Sequence, residues 1–294
     1  MRQPIMRALL VVSVAVLVAC TKEQEATPQD SAEPNVVMLS SANNAFQAPD
    51  TIAAGWTSFQ FANNGNDIHY AHIVRLDSGR TVPELVDAYA EAIRTSGPRP
   101  KWVTRFGGPG GVVPGGTSIA TQFLEPGNYV WICPIEDEKG NPHFGNGEQK
   151  AFVVHGSAER TASPVATSQI HLLDFSFTVD SSLRSGAHKV RVVNDGVEAH
   201  DLVLMKLAEG RTIADIRKWL NPEQARRADR PAEPPPPIES LGMPAGGAAA
   251  MASGYEVFID VNLTPGDYAA FCMATAPDGR SHIEHGMIQQ FRIN

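Results

Sequence analysis

Two cysteine and histidine pairs with the same spacing are the residues of this chain best suited to chemistry. Cys133 precedes His143 by ten residues in the first half of the chain. In the second half Cys272 precedes His282 by ten residues, and Met287 follows five residues later. A thiolate, an imidazole and a thioether on one loop are the ligands that a soft metal ion such as copper prefers. The spacing therefore predicts a metal site near the end of the chain.

These pairs belong to an internal repeat. His200 lies 131 positions after His69, and Gly196 lies 131 positions after Gly65. The two cysteines are 139 positions apart, so the second copy has eight additional residues, which we place in the proline-rich and Ala/Gly-rich stretch 230–254. Units of this length are tandem domains, because solenoid repeats are much shorter.

Short β-prone runs separated by Gly, Pro, Asn or Asp dominate both copies. The candidate strands span residues 36–39, 57–62, 73–76, 118–124, 129–133 and 151–154 in the first copy and 170–177, 189–193, 202–205, 256–263, 268–271 and 288–293 in the second. One helix interrupts each copy, starting at the capping-type residues Thr81 and Thr212. About six or seven strands per copy predict an all-β protein of two sandwiches, each with one inserted helix.

The first 19 residues have the features of a signal peptide. Two arginines precede an apolar run, 8–18, that is too short to span a bilayer comfortably. The run ends in Leu17, Val18, Ala19 and Cys20, which resembles the lipobox of bacterial lipoproteins. The resemblance implies a lipid on Cys20 that anchors the protein in the cell envelope, on the periplasmic face of the outer membrane in a Gram-negative organism. The alternative is an ordinary secretory signal followed by an unmodified cysteine.

Composition divides the remaining chain into four segments. Residues 20–34 are mostly polar and form a predicted flexible tether. Residues 35–155 and 168–294 are the two predicted domains, joined by a linker over 156–167. The formal net charge is −8 and no basic patch is evident, which argues against nucleic acid as a partner.

The segment before the first histidine of each copy resembles the cupredoxins, the family of blue copper proteins. An asparagine and a glycine precede the histidine at the same spacing: Asn63, Gly65 and His69 in the first copy, and Asn194, Gly196 and His200 in the second. In cupredoxins an Asn/Gly turn of this kind delivers the first histidine ligand. The resemblance implies that each copy is a Greek-key cupredoxin-like sandwich.

The end of the second copy is similar to the closing loop of cupredoxins, which supplies a cysteine, a histidine and an axial methionine. The resemblance implies a type 1 copper site with His200, Cys272 and His282 near a trigonal plane and Met287 as a weak axial ligand. The interval between the cysteine and the histidine is longer than in small blue copper proteins and closer to that of copper nitrite reductases.

The first copy contains a weaker candidate site. His69, Cys133 and His143 match the ligands of the second copy, but Glu148 stands where a methionine is expected. A hard carboxylate is a poor substitute for a thioether, so we expect one copper ion and leave two or none open. The alternative is that the cysteines are small buried hydrophobic residues and the histidines bind backbone groups.

Several functional classes are compatible with these residues. An electron carrier would use copper in the second copy and a redox protein as its partner, and a copper storage or delivery protein would use the same site. A metal-free interaction module would bind through its loops. In oxidases and nitrite reductases a histidine directly precedes the copper cysteine, whereas this chain has Ile132 and Phe271 there, so we expect no catalytic residues and no enzyme.

Two more histidines lie close to the candidate ligands in sequence. His72 is expected to be a surface or packing residue, because on a strand it faces away from His69. His285 is expected to be a solvent-facing neighbour of the second site.

Overall fold

The computed structural model describes residues 33–95, 97–137, 139–157, 162–220 and 238–294. The predicted signal peptide, the predicted lipidation site Cys20 and nearly all of the predicted tether lie outside these residues. Within the described ranges no helix is long and apolar enough to cross a bilayer.

Strands account for most of the regular structure of the described residues, and each copy contains one α-helix. The first copy consists of β1 (Asn35–Ala42), β2 (Ala45–Gln47), β3 (Thr51–Ala53), β4 (Gly55–Asn63), β5 (His72–Leu76), α1 (Val82–Arg94), β6 (Val103–Gly107), β7 (Thr117–Leu124), β8 (Gly127–Ile132) and β9 (Gln149–His155). The second consists of β10 (Ser168–Leu173), β11 (Ser176–Val179), β12 (Gly186–Asn194), β13 (His200–Leu207), α2 (Ile213–Leu220), β14 (Gly242–Met251), β15 (Glu256–Leu263), β16 (Gly266–Phe271) and β17 (Ile288–Ile293). The all-β class with one helix per copy is confirmed.

The strands form two sheets, and each sheet contains strands from both copies. One sheet has the order β11-β10-β12-β15-β7-β4-β1-β2, and the other has the order β17-β16-β13-β14-β6-β5-β8-β9-β3. In both orders the strands of the second copy come first and those of the first copy follow. The two sandwiches are therefore joined edge to edge, with each sheet continuing from one copy into the other.

A local two-fold axis relates the copies where their sheets meet. Strands β7 and β15 are equivalent in the repeat and pair antiparallel, with Ala120 opposite Ile259. In the second sheet Pro109 forms a bridge with Ala248. Both pairs join residues that are 139 positions apart, the offset of the repeat in this region. Each of these residues thus pairs with its own equivalent, as at the symmetric interface of a homodimer.

Strand β14 corrects one expectation from the sequence. The sequence predicts no strand in the stretch 230–254, where the eight additional residues of the second copy are expected, but Gly242–Met251 is a ten-residue strand that pairs with β13. Residues 230–237 of this stretch lie outside the described residues. Its glycines allow this pairing, because a Cβ atom added at Gly247 would collide with the carbonyl oxygen of Leu202. Ala and Gly have low β propensity, so the composition of β14 does not predict a strand. The strand forms because it pairs with β13.

The two helices begin as the sequence predicts. Thr81 is the N-cap of α1, and Glu84 completes a capping box by accepting a hydrogen bond from the Thr81 backbone N–H. Before α2 the N–H of Thr212 donates in the same way to the carboxylate of Asp215. Each pair satisfies backbone N–H groups that the first helical turn leaves unpaired.

Each copy has its own apolar core between the sheets. Trp131 of the first core stacks on Phe152 with a centroid separation of 3.8 Å. Cys133 lies in this core, while Cys272 and Met287 lie in the corresponding core of the second copy. The candidate sulfur ligands are therefore fixed by the packing of the two cores, next to the ends of strands.

Candidate metal centres

A buried asparagine shapes the turn before the first histidine in each copy. The side-chain N–H groups of Asn194 donate to the carbonyls of Met251 and Glu198, at 2.8 and 2.7 Å. Its side-chain oxygen accepts from the N–H of Gly196 at 3.0 Å. Asn63 makes the equivalent three bonds in the first copy. The Asn/Gly turn predicted from the sequence therefore exists in both copies as a fully bonded element.

The glycine in this turn leaves room for the imidazole. A Cβ atom added at Gly196 would lie 2.7 Å from Nε2 of His200, and one added at Gly65 would lie 2.6 Å from Nε2 of His69. Both distances are shorter than a van der Waals contact, so a larger residue would displace the histidine. Glycine is therefore required by the position of the ring.

Each cysteine follows the end of a core strand and is fully buried. Cys133 follows β8 and Cys272 follows β16, and both thiols are free. The backbone N–H of the residue after the first histidine points at the sulfur: Tyr70 N to Cys133 Sγ is 3.4 Å, and Asp201 N to Cys272 Sγ is 3.4 Å. An N–H directed at sulfur stabilises a thiolate, the form that binds metal ions.

Met287 and Glu148 occupy the same place in the backbone. The N–H of Met287 donates to the carbonyl of His282 at 2.8 Å, and its carbonyl accepts from the N–H of Cys272 at 3.2 Å. Glu148 makes the two equivalent bonds at 2.9 and 3.2 Å. Both side chains are fully buried. The two copies thus present different side chains, a thioether and a carboxylate, from one backbone frame.

The three inner atoms of the second centre are spaced to hold one metal ion. Nδ1 of His200 is 2.9 Å from Nδ1 of His282, and Cys272 Sγ lies 3.9 and 3.4 Å from these nitrogens. The circle through three atoms with these separations has a radius of about 2.0 Å, close to the distances of about 2.0–2.3 Å at which imidazole nitrogen and thiolate sulfur bind Zn²⁺. The separations of these three atoms therefore suit an ion of similar size.

Carboxylates hold both imidazoles of the second centre from outside. Nε2 of His200 is 2.9 Å from Oδ1 of Asp174, and Nε2 of His282 is 3.1 Å from Oε2 of Glu198. Because a carboxylate accepts the Nε2 proton, the Nδ1 lone pairs of both rings face the same point. Two lone pairs and a sulfur in such proximity require a cation or a shared proton between them.

Burial sets the protonation of the inner groups. It lowers the pKa of His282 to about 4, with the charge of His200 acting in the same direction, so His282 is neutral at pH 7. Burial, followed by the charge of Asp201, raises the pKa of the Cys272 thiol well above its ordinary value. At neutral pH a metal ion would therefore find the His282 imidazole already deprotonated and would have to displace the proton of the Cys272 thiol.

The first centre is closed by a carboxylate. Oε2 of Glu148 lies 2.7 Å from Nδ1 of His69 and 3.1 Å from Nδ1 of His143. Cys133 Sγ is 3.6 Å from Nδ1 of His143. Ser41 Oγ donates to the other oxygen of Glu148, and all of these residues are buried. The first copy therefore contains four potential ligands, with the carboxylate at their centre.

Sequence reasoning did not place Glu148 among the candidate ligands, because a carboxylate stands there instead of the expected methionine. It also missed Ser41, Asp174 and Glu198. Glu198 lies in the turn before the first histidine, so its spacing was an available signal. Ser41 and Asp174 are distant from the ligands in sequence, and only the folded strands bring them to the histidines.

The two additional histidines lie outside both ligand sets. His72 is a packing residue, as expected: it is buried, and its Nε2 is 2.9 Å from the carbonyl oxygen of Ala250 in the other copy. His285 is a neighbour of the second site, although only 20% of its side chain is exposed. Its ring packs on Phe175, which contacts His282 edge-on with a centroid separation of 5.2 Å.

A cleft of about 890 Å³ opens between the two copies. Tyr70 and Asp201, the residues whose N–H groups point at the two sulfurs, both line it. Glu198, which binds His282, also lines the cleft. The second centre is therefore one residue away from a surface that solvent reaches.

Comparison with known proteins finds similarity only at the level of solved structures. No family model and no curated protein matches the chain. A dithionite-reduced auracyanin from Roseiflexus castenholzii is 23% identical, with 42% of this chain and 99% of that chain covered and a TM-score of 0.28. Auracyanin A, a blue copper protein from Chloroflexus aurantiacus, is 19% identical, with coverage of 42% and 100% and a TM-score of 0.29. A copper-containing nitrite reductase from Thermus scotoductus is 13% identical, with coverage of 88% and 61% and a TM-score of 0.22.

Proposed function

We propose that this chain is a copper-binding electron-transfer protein of the cupredoxin type. Copper would be held by His200, Cys272 and His282, with Met287 as a further, weaker ligand. When bound, copper supplies one-electron redox chemistry. The observation that carries the proposal is the spacing of the three inner atoms, which encloses a point about 2.0 Å from each of them, within the range of metal–ligand bonds.

The choice of copper rests on the donor set. Two imidazoles, a thiolate and a buried thioether are the combination of trigonal and weak axial ligands that suits copper electron-transfer sites. Met287 has the same backbone hydrogen bonds as Glu148, whose side chain reaches both histidines of the first copy. This equivalence supports Met287 as a ligand of the second centre.

The surrounding protein suits electron transfer better than copper delivery. His200, Cys272 and His282 are completely buried, and the outer nitrogens of both rings are bound by carboxylates. A rigid, enclosed set of ligands slows metal exchange and limits the movement of ligands between oxidation states. A redox protein that approaches the cleft comes within one residue of His282, through Glu198.

Titration with Cu(II) tests this function. The purified chain should develop an intense visible absorption from thiolate-to-copper charge transfer, which ascorbate should bleach as copper is reduced. Cys272→Ser should abolish the bleachable band. Cys133→Ser is the matched control, since it removes the equivalent thiol of the other copy and should leave the bleachable band intact. Equal losses in the two variants would contradict the assignment of the redox site to the second copy.

We also propose that Cys20 carries a lipid that anchors the protein in the bacterial envelope. The supporting observation is the lipobox-like segment that ends at Cys20. Cys20→Ser should move the protein from the membrane fraction to the soluble fraction after cell fractionation. Retention of the processed variant in membranes would contradict the anchor.

A further inference from the structure

We propose that His69, Cys133, His143 and Glu148 form a second metal site, which binds a divalent first-row ion, Zn²⁺ or Cu²⁺, and keeps it divalent. The site lies in the first copy and differs in chemistry from the redox centre proposed above. The inference does not depend on copper binding in the second copy.

The four ligand atoms are close enough to share one ion. Each of these residues offers one nitrogen, sulfur or oxygen atom, and all four atoms lie within 4.8 Å of one another. Oε2 of Glu148 is 2.7 and 3.1 Å from Nδ1 of His69 and His143, and Cys133 Sγ is 3.6 Å from Nδ1 of His143. Ligands about 2.0–2.3 Å from one ion in a tetrahedral arrangement are about 3.3–3.8 Å apart, so these separations are compatible with a single site. All four residues are buried, with exposed fractions of 2% or less.

Charge favours a bound cation at this site. Glu148 is fully buried, and within the described ranges its ion pairs are with His69 and His143 and include no lysine or arginine. A buried carboxylate without a compensating charge is costly, and an adjacent thiolate adds a second negative charge. A divalent ion neutralises this pair of charges completely.

The same charge count separates the two sites. Cys133 and Glu148 together provide two negative charges, which balance a divalent ion but leave Cu(I) with a net negative charge in a dry environment. Among the ligating side chains of the second site, Cys272 and Met287 provide one negative charge, which balances Cu(I), while Asp174 and Glu198 bind the outer nitrogens of the imidazoles. The first site therefore favours Zn²⁺ or Cu(II), while the second accommodates both oxidation states of copper.

Ser41 positions the carboxylate. Its hydroxyl, buried on β1, donates to one oxygen of Glu148 and leaves the other oxygen directed at the two histidines. This hydrogen bond holds the Glu148 carboxylate in one orientation. The arrangement indicates that the carboxylate has a fixed orientation toward the ligand nitrogens.

The test uses the full chain with the second site disabled by Cys272→Ser. The protein is loaded separately with Zn²⁺ and with Cu²⁺, dialysed and assayed for bound metal by mass spectrometry. We expect one ion per chain with either metal. In the copper-loaded protein the Cu(II) signal in electron paramagnetic resonance should persist after addition of ascorbate.

Glu148→Gln, added to Cys272→Ser, isolates the role of the carboxylate. It should weaken Zn²⁺ binding by about tenfold or more and should allow ascorbate to reduce the bound copper. Glu198→Gln in the same background is the matched control, because Glu198 contacts only the second centre, and it should leave Zn²⁺ binding unchanged. Thermal melting establishes that each variant is folded. If Glu148→Gln does not fold, Ser41→Ala, which removes only the hydroxyl, should give a smaller loss of affinity.

Three results would overturn the proposal. A folded Cys272→Ser chain that retains neither metal would show that the cluster is only hydrogen-bonded. Zn²⁺ binding that neither Glu148→Gln nor Ser41→Ala weakens would place the ion elsewhere. Reduction of the bound copper by ascorbate in the Cys272→Ser chain would show that the site does not favour the divalent state.

Discussion

At the scale of single residues, the residue five positions after the second histidine distinguishes the two centres. Both copies have a histidine after an Asn/Gly turn, a cysteine at the end of a core strand and a second histidine ten residues later. Five residues after this second histidine the first copy has Glu148 and the second has Met287. The backbones of these two residues make equivalent hydrogen bonds. A soft thioether and a hard carboxylate at equivalent backbone positions predict that copper bound at the two centres would differ in reduction potential.

Met287→Glu tests this difference directly. The substitution places an anionic oxygen beside copper in the second centre and should stabilise Cu(II) over Cu(I). If the substitution strengthens binding of Cu(II) relative to Cu(I) by tenfold to a hundredfold, the reduction potential falls by about 60–120 mV, which cyclic voltammetry measures. A folded, copper-loaded variant with an unchanged potential would remove Met287 from the ligand set. Loss of folding in thermal melting, with no redox signal to follow, would instead indicate a purely structural side chain.

At the scale of elements, the Asn/Gly turns and strand β14 place the ligands. The side chain of Asn194 donates to the carbonyl of Met251, the last residue of β14, and Met251 pairs with His200. The first histidine of the second centre is therefore positioned from the end of β14. The small residues of this strand are required for its close approach to β13.

Gly247→Ala should destabilise the second copy. Gly247 has φ +156°, and an added Cβ atom would collide with the carbonyl oxygen of Leu202 across the strand pair. We expect a loss of about 2 kcal/mol or more in the free energy of unfolding, measured by chemical denaturation. Gly140→Ala is the control, because Gly140 also has a positive φ, +78°, but open space around its Cβ position. The control should lose only about 1–2 kcal/mol from backbone strain, and an equal or larger loss there would refute the steric explanation.

At the scale of the whole molecule, the two copies resemble a homodimer in one chain. Sheet pairing across the local axis joins β7 to β15, and Met251 of β14 pairs with Phe106 of β6. His72 adds a hydrogen bond from β5 to the carbonyl of Ala250 in β14. The cleft between the copies lies beside these contacts and brings Tyr70 close to Asp201, its equivalent in the repeat.

Contact between the copies should depend on pH through His72. Burial lowers its pKa to about 3, and the charge of Arg105 acts in the same direction. The pKa of the unfolded state is higher, at 6.5, so the unfolded chain takes up this proton first as the pH falls. The stabilisation from neutral His72 is complete above pH 6.5 and is lost between about pH 6.5 and 3, by up to about 1.4 kcal/mol per pH unit.

Denaturation of the metal-free chain at several pH values checks this dependence. His72→Gln retains a donor for the carbonyl of Ala250 but cannot take up a proton in this range. Its free energy of unfolding should therefore fall less steeply than that of the unsubstituted chain as the pH decreases from 6.5. Identical slopes for the two proteins would show that His72 is not the titrating group.

Sequence alone was sufficient for much of this structure. Alternating apolar residues and turn residues predict most of the long strands, and the capping pairs at Thr81 and Thr212 predict both helix starts. The resemblance to cupredoxins implies that His200, Cys272 and His282 converge, and the structure brings their inner atoms within 3.9 Å of one another. These features depend on local propensity and on spacing within one copy, which a sequence states directly.

Only the tertiary structure decided how the copies join and how the centres differ. Strand β14 is specified by its neighbours β13 and β6, because its Ala and Gly residues carry little strand signal of their own. Ser41 and Asp174 reach the histidines through strand pairing across the chain, so no local pattern marks them. In the sequence Glu148 stands where a methionine ligand is expected, which gives no sign of its role. In the structure its buried carboxylate contacts Ser41, His69 and His143 and joins them into one cluster. The reason is physical: the energy of a buried charge depends on the groups that surround it in space, and those groups come from distant parts of the chain.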